Sequence, residues 1–340
     1  MPAAAAPESA ATPIAVLGAG SWGTALAVQF ARNGRPVRLW GRDRQQLARL
    51  AAARRNDRYL PGVAFPPGVS IETDFNAAVA GARDVLIVVP SPALRAMLTQ
   101  LKPLLAAGQR VAWATKGFEL ESGRLPHEVA REVLGPGVPI AVLSGPTFAQ
   151  EVGQGLPTAM TVASPDAHFA DELASGLSGQ NFRAYISPDI LGVEVGGAVK
   201  NVLAIATGIA DGMGYGANTR IALITRGLAE MTRLGVALGA RPETFMGLAA
   251  LGDLVLSCTD NQSRNRRFGL AVAAGASPAD AQRDIGQVVE GVQAARAVRA
   301  VAARAGVDMP IAAEVYAVLH QGRDLNEAVR ALMGRERKRE

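Results

Sequence analysis

Six residues, Gly18-Ala19-Gly20-Ser21-Trp22-Gly23, constrain this chain more than any other feature. They follow a short apolar run, Ile14-Ala15-Val16-Leu17, and open a helical pattern over residues 21–33, so a glycine turn joins a strand to a helix. Gly18 can make the tight turn, Gly20 lets the backbone approach a ligand, and Gly23 permits close packing of helix on strand. The helix then presents N–H groups and a positive dipole end to an anion. In this context the turn predicts a site for the pyrophosphate of a dinucleotide.

The rest of the N-terminal half repeats the same alternation. Val37-Arg38-Leu39-Trp40, Val85-Leu86-Ile87-Val88-Val89, Val111-Ala112-Trp113-Ala114 and Ile140-Ala141-Val142-Leu143 read as strands, with helical pieces at 44–54, 93–105 and 125–134 between them. Strand and helix in turn predict an α/β fold with a doubly wound parallel sheet of Rossmann type. Beyond about Pro188 strand signals stop. Helical periodicity broken at Gly and Pro covers 190–212, 218–238, 242–248, 264–274, 277–284, 291–305, 311–320 and 326–333, which predicts an all-α second domain.

With 340 residues, of which 49% are hydrophobic and 19% charged, the chain can bury two cores, and disorder is excluded as its main state. The expected division is a flexible tail 1–12, a dinucleotide-binding domain 13–190, a helical substrate domain 191–334 and a charged tail 335–340. The first twelve residues lack a basic and an apolar region, so no secretory signal is expected. The most apolar short run, residues 85–89, falls far below the roughly 20 residues of a membrane helix, and a soluble protein without membrane insertion is expected. One cysteine, Cys258, allows no intrachain disulfide, and no Cys/His spacing suits zinc. A reducing compartment and no metal follow as expectations.

Net charge is +5, but the basic residues are scattered and only 5% of residues are aromatic, so no nucleic-acid partner is expected. Of 35 basic residues only Lys102, Lys116, Lys200 and Lys338 are lysines, leaving 31 arginines. A lysine inside an apolar helix therefore calls for a reason, because an ammonium can release a proton where a guanidinium cannot. Lys200 is such a residue, one turn after Gly196-Gly197 in an apolar stretch. The two glycines imply close approach of a ligand or another backbone. Burial and a neighbouring lysine would lower the Lys200 pKa from about 10.4 towards the range useful for general acid–base work.

Other segments offer chemistry nearby in the fold. Lys116 follows a strand and so stands at the carboxyl edge of the sheet. Ser144-Gly145-Pro146-Thr147-Phe148-Ala149 closes another strand with residues that let backbone N–H groups reach a ligand. Asp253, between apolar neighbours, needs a cationic partner, and a lysine is the natural one. Ser263 can cap a helix while Arg264 and Asn265 present donors to a phosphate. At the end of the second strand Arg42 suits the 2′-phosphate of NADP, while Asp43 one residue on keeps NAD open.

Taken together, Gly18 to Gly23, the Lys116 motif, Ser144 to Ala149, Val199-Lys200-Asn201, Leu251-Gly252-Asp253, Ser263-Arg264-Asn265 and Val289-Glu290-Gly291 resemble the bacterial NAD(P)-dependent glycerol-3-phosphate dehydrogenases. The likeness runs in order from about residue 13 to 330. Ala250 stands where glycine is expected and Ser257 where threonine is common. The resemblance implies a helical domain like that of 6-phosphogluconate dehydrogenase and the reversible interconversion of sn-glycerol 3-phosphate and dihydroxyacetone phosphate. It further implies that the enzyme supplies phospholipid synthesis, as a cytoplasmic homodimer. Beside the turn glycines Gly18, Gly20 and Gly23, it assigns Ser21, Trp22, Arg42, Lys116, Ala149, Arg264, Val288 and Glu290 to NAD(H) or NADP(H). It assigns Lys116, Gly145, Thr147, Lys200, Asp253, Ser263, Arg264 and Asn265 to the substrate, with Lys200 the proton carrier. The rival readings are a hydroxyacid or ketopantoate-type reductase and a non-catalytic NAD(P)H sensor.

Overall fold

A computed structural model describes residues 12–335, so the two expected tails lie almost wholly outside the described residues. Within it the chain forms two compact units, one of residues up to Thr115 with Pro126–Ile190, the other of Lys116–Leu125 with the chain from Leu191 onward.

The first unit is built on strands β1 (Ile14–Leu17), β2 (Val37–Trp40), β3 (Arg55–Asn56), β4 (Leu60–Ala64), β5 (Val69–Glu72), β6 (Asp84–Ile87), β7 (Arg110–Trp113), β8 (Ile140–Ser144), β9 (Thr158–Ala163) and β10 (Phe182–Ser187). Eight of them form one sheet in the order β10-β9-β8-β7-β6-β1-β2-β5, while β3 and β4 pair as a separate hairpin. From β5 to β8 every neighbouring pair is parallel, which gives the doubly wound order expected of a Rossmann sheet. β1, β6, β7 and β8 are buried along their length, as strands covered on both faces must be.

The sheet is not parallel throughout. β9 runs antiparallel to β8, and β10 runs parallel to β9. After β8 the chain makes only the short helix Ala149–Gln154 and reverses at Gly155, so it returns from the same end of the sheet. The longer helix Ala167–Leu177 then carries it over to β10. β5, β9 and β10 carry no strong apolar run, and β10 leaves Tyr185 and Ile186 exposed. Their strand character comes from pairing with neighbours.

At the amino ends of β6 and β7 Asp84 is fully buried and is held by Arg35 and by Arg110 Nε at 2.6 Å, and Arg110 continues to Glu172. This ion cluster lies at the sheet edge opposite the glycine turn, which follows the carboxyl end of β1.

The second unit is helical. Its central helix, Ile190–Gly212, is long and apolar enough to cross a membrane, contrary to the expectation that no run approaches that length. However, 83% of its apolar window is buried within the fold, as suits the core helix of a globular domain. Around it pack Ala217–Ala237, Arg264–Ala273, Glu290–Arg304, Pro310–Gln321 and Leu325–Met333. Small residues set how closely these helices approach: a Cβ on Gly208 would stand 2.1 Å from Arg266 O, one on Gly269 2.3 Å from Ile205 O, and one on Gly291 2.6 Å from Asn201 O.

Residues Lys116–Leu125 belong to this unit, whereas the sequence reading places all of 13–190 in the first domain. The reason is burial. Phe118 and Leu125, 2% and 3% exposed, sit in the helical core and draw the segment between them to it.

Candidate active site

The glycine turn of the first unit has the backbone geometry its sequence demands. Gly18 adopts φ +132°, and a Cβ there would lie 2.2 Å from Val88 O. A Cβ on Gly23 would lie 1.8 Å from Gly18 O, so helix and strand meet at contact distance. Gly20 differs: a Cβ there would meet nothing within 4 Å, and as N-cap of Ser21–Arg32 it offers no side chain to the first helical N–H groups. The donors of that turn are left for an anion, and the open face over Gly20 fits a pyrophosphate.

Two residues that sequence reasoning passed over hold the turn from behind. Gln46 Nε2 donates to Ala19 O at 3.0 Å, and buried Asn56 donates to Ala19 O at 3.2 Å and to Thr24 Oγ1 at 2.8 Å. Asn56 sits on the hairpin β3–β4, whose position is set by tertiary contact, and its only signal was a polar residue among arginines.

Beyond β2 Arg42 is exposed, while the Asp43 carboxylate caps the helix Arg44–Ala53 by accepting from Gln46 N at 3.0 Å. That backbone hydrogen bond holds its carboxyl below the usual range. Gly145 follows β8, with a backbone so close to Met160 that a Cβ would lie 2.8 Å from its Cα. Thr147 Oγ1 donates to Gly145 O at 3.2 Å, and Ala149 begins the next helix.

The second unit gathers the ionisable residues. The Asp253 carboxylate takes both lysines at once: Lys116 Nζ donates to Oδ2 at 2.6 Å and Lys200 Nζ to Oδ1 at 2.7 Å. Lys200 Nζ also donates to Ser257 Oγ at 2.8 Å, one helical turn beyond Asp253. Asp253 follows a π-helical turn, Leu248–Gly252, that packs on the central helix where Gly196 has no side chain. A Cβ on Gly196 would lie 2.9 Å from Ala249 O and from Ala250 Cβ. Of the two approaches the glycine pair was expected to permit, Gly196 serves that of another backbone.

Burial pushes the Lys200 ammonium below the ordinary lysine range; Asp253 opposes this and Lys116 adds to it. Burial alone would push the Asp253 carboxyl up, but Lys116 and Lys200 outweigh it and hold the group below the usual carboxylate range. The trio thus has a fixed anion between two cations, and burial makes the neutral amine of Lys200 easier to reach.

A second network starts one residue on. Asn201 Nδ2 donates to Glu290 Oε2 at 3.2 Å, and Asn265 Nδ2 donates to Asn201 Oδ1 at 2.9 Å. Asn265 Oδ1 in turn accepts from Gly291 N at 2.9 Å. Asn265 was expected to offer donors to an anion; this bridge leaves it one amide hydrogen for that purpose. Asn201, which sequence reasoning did not single out, joins Lys200's helix to Asn265 and Glu290. An asparagine buried in an apolar helix was the available signal. Ser263 caps Arg264–Ala273, its Oγ accepting from Arg266 N at 3.3 Å, and Arg264 stands half-buried at the first position. Arg266 anchors this helix start to Asp211 Oδ2 at 2.6 Å and Cys258 O at 3.1 Å. Val288 is 54% exposed. Among the described residues no group of three His, Cys, Asp or Glu side chains is placed to hold a metal ion.

A Rossmann unit with an open glycine turn, followed by a helical unit with two lysines on one buried carboxylate, defines the class of nicotinamide-coenzyme dehydrogenases with a separate substrate domain. The family description NAD-dependent glycerol-3-phosphate dehydrogenase N-terminus matches residues 13–170, and its C-terminus counterpart matches 189–330. A glycerol-3-phosphate dehydrogenase [NAD(P)+] from Pseudoalteromonas translucida (strain TAC 125) is 56% identical over 334 residues, covering 98% of this chain and all of that one. The solved structure of glycerol-3-phosphate dehydrogenase from Coxiella burnetii is 49% identical and superposes with a TM-score of 0.93 over 96% of this chain and 100% of that one. This chain belongs to the NAD-dependent glycerol-3-phosphate dehydrogenase family. A ketopantoate reductase from Ralstonia eutropha JMP134, with 18% identity and a TM-score of 0.58 over 91% of this chain and 98% of that one, shares the fold alone.

Proposed function

We propose that this chain is an NAD(P)-dependent glycerol-3-phosphate dehydrogenase that interconverts sn-glycerol 3-phosphate and dihydroxyacetone phosphate. The carrying observation is the Lys116–Asp253–Lys200 trio, in a chain whose other unit bears the open glycine turn. Residues 13–190, apart from Lys116–Leu125, serve the coenzyme, with Ser21, Trp22, Arg42 and Ala149 as contacts. Residues 191–334 serve the substrate, with Val288 and Glu290 reaching the coenzyme.

When bound, NAD(P)H would supply the hydride that reduces the ketone carbon, C2. Lys200, protonated, hydrogen-bonds the ketone oxygen and gives it the proton as the carbonyl is reduced; in oxidation the neutral amine takes the hydroxyl proton back. Such acid–base assistance is worth about 10²- to 10⁴-fold. Asp253 keeps the amine aimed and stabilises its charged form, while Lys116 keeps the pKa from rising too far. With both lysines charged the trio carries one net positive charge, which favours an anionic substrate. Ser263, Arg264 and the remaining Asn265 donor, at a helix N-terminus, suit the phosphate monoester, with Gly145 and Thr147 as further contacts.

The product supplies phospholipid synthesis, and the enzyme works in the cytoplasm as a homodimer. Cys258 is buried, with its thiol pushed up to about 12 by desolvation, and so is a poor nucleophile. The test is to follow nicotinamide absorbance as dihydroxyacetone phosphate is added with NADPH, then with NADH. Oxidation of either coenzyme that depends on this ketone is expected; none with either overturns the reading.

A further inference from the structure

Lys116 sits on a segment that belongs to the helical unit through tertiary contacts alone. Phe118 and Leu125 anchor its two ends in the core. Between them the chain folds on itself: Gly123 N donates to Glu119 O at 2.8 Å, Glu119 N to Arg124 O at 2.8 Å, and Ser122 Oγ to Glu119 Oε2 at 2.6 Å. The tip of this loop is grasped from outside by one side chain. Arg304 Nη1 donates to Ser122 O at 2.7 Å and Nη2 to Gly123 O at 3.2 Å. Gly123, at φ +67°, leaves room for that guanidinium, since a Cβ there would stand 2.5 Å from Nη2.

Arg304 is the last residue of the helix Glu290–Arg304. The first residues of that helix are tied to the other side of the site, Glu290 to Asn201 and Gly291 to Asn265. One rigid rod of 15 residues, about 22 Å long at 1.5 Å per residue, therefore holds the Asn201–Asn265 network at its start and the Lys116 loop at its end.

We propose that Arg304 is a positioning residue for the reaction: by clamping the Ser122 and Gly123 carbonyls it fixes the loop that sets Lys116 on Asp253, and so it governs how the carboxylate is shared with Lys200. The inference rests on the dehydrogenase reading above. Its consequence runs through charge. When Lys116 is held on Oδ2 its cation disfavours a proton on Lys200; when the loop is released, that influence weakens and Asp253 is left to Lys200 alone. Lys200 then holds its proton to higher pH.

Arg304→Ala removes both clamping donors without touching a residue assigned to substrate or coenzyme. Expected are a fall of about ten-fold in kcat/KM for dihydroxyacetone phosphate, as misplacement of a site group produces, and a displacement to higher pH of the alkaline fall in the kcat/KM profile. Faster hydrogen exchange is expected at the Glu119 and Gly123 amides. Gly123→Ala, which crowds the guanidinium from the loop side, is expected to reproduce all three, and its thermal melt shows whether either change is simply loss of fold. A folded Arg304→Ala enzyme with wild-type kcat/KM, pH profile and exchange overturns the proposal. Should the wild-type protein itself fail to reduce dihydroxyacetone phosphate, the dehydrogenase reading falls on its own, while unchanged exchange at the loop in Arg304→Ala would separately overturn the clamp.

Discussion

Lys200 Nζ and Asp253 Oδ1 lie 2.7 Å apart in a buried setting, while the other oxygen of the same carboxylate is taken by Lys116. One anion thus serves two cations. Replacing Lys200 by alanine is expected to lower kcat for dihydroxyacetone phosphate reduction by about 10²- to 10⁴-fold with coenzyme affinity retained. Stopped-flow turnover beside a coenzyme fluorescence titration checks it, and near-normal turnover would refute the role of Lys200.

Asp253→Asn keeps the shape of the group and removes its charge. Two ammonium groups then face each other without an anion, so the Lys200 pKa, already lowered by burial, falls further. The alkaline fall in the reduction profile is expected to move to lower pH, with kcat at pH 8 reduced by at least about ten-fold. A profile that coincides with wild type would show that Asp253 does not tune the acid.

Asp43 was the acid that kept an NAD-selective site open, and it is committed to capping Gln46 N. On the proposed reading, exposed Arg42 would meet the coenzyme's ribose end without a competing carboxylate from its neighbour. Arg42→Gln is expected to reduce kcat/KM with NADPH by about 10- to 100-fold, the worth of a charge-assisted hydrogen bond, and to change that with NADH little. Equal losses with both coenzymes would assign Arg42 to something other than the 2′-phosphate.

Asp84, fully buried, is held below the ordinary carboxylate range: burial opposes ionisation, but hydrogen bonds and charge from Arg110 and Arg35 outweigh it. Its contribution to stability is complete above the unfolded pKa near 3.9 and is lost as pH falls through the lower folded value. Arg110→Ala leaves that carboxylate with one partner fewer. The expected cost is about 3–5 kcal/mol, with acid unfolding moved to higher pH. Urea melts between pH 3 and 7 would register both, and a variant as acid-resistant as wild type contradicts the assignment.

Glu230 behaves in the opposite sense. It is 2% exposed on the helix Ala217–Ala237 and accepts from Ile311 N at 2.7 Å and Ala312 N at 3.3 Å, capping the helix Pro310–Gln321. Burial pushes its carboxyl up to about 7, against those two backbone donors and Arg233, with Asp308 adding to the rise. A raised acid stabilises the fold in its protonated form, so stability is expected to decline as pH rises from about 4.5 to 7 through this group. Glu230→Gln removes that part of the slope while keeping an acceptor for the helix. Thermal melts at pH 5 and 8 should differ less in the variant, and an unchanged difference would discount Glu230.

The strands β1, β2, β6, β7 and β8 and the helices of the second unit were legible because apolar periodicity in this sequence is strong and breaks fall at Gly and Pro. β5, β9 and β10 were not, since their residues gain strand character only from a neighbour already in place. The π-helical turn before Asp253 escaped for a related reason: its Ala249 and Ala250 lie against the central helix at Gly196, a contact between stretches far apart in the chain. Among the site residues, Lys200 and Asp253 stood out as charges in apolar surroundings. Asn201, Gln46, Asn56 and Arg304 did not, because a polar side chain in sequence carries no record of the carbonyl or carboxylate that it will meet.

By itself, then, the sequence determined where the glycine turn stands, which face of each helix is apolar and that buried charges at 200 and 253 require partners, since these follow from local sterics and the cost of desolvation. Only the tertiary structure decided that a single carboxylate answers two lysines, that a loop from between two strands joins the helical unit, and that one arginine at a distant helix end grips it. Those are matters of which groups come within 3 Å across long stretches of chain, and no periodicity encodes them.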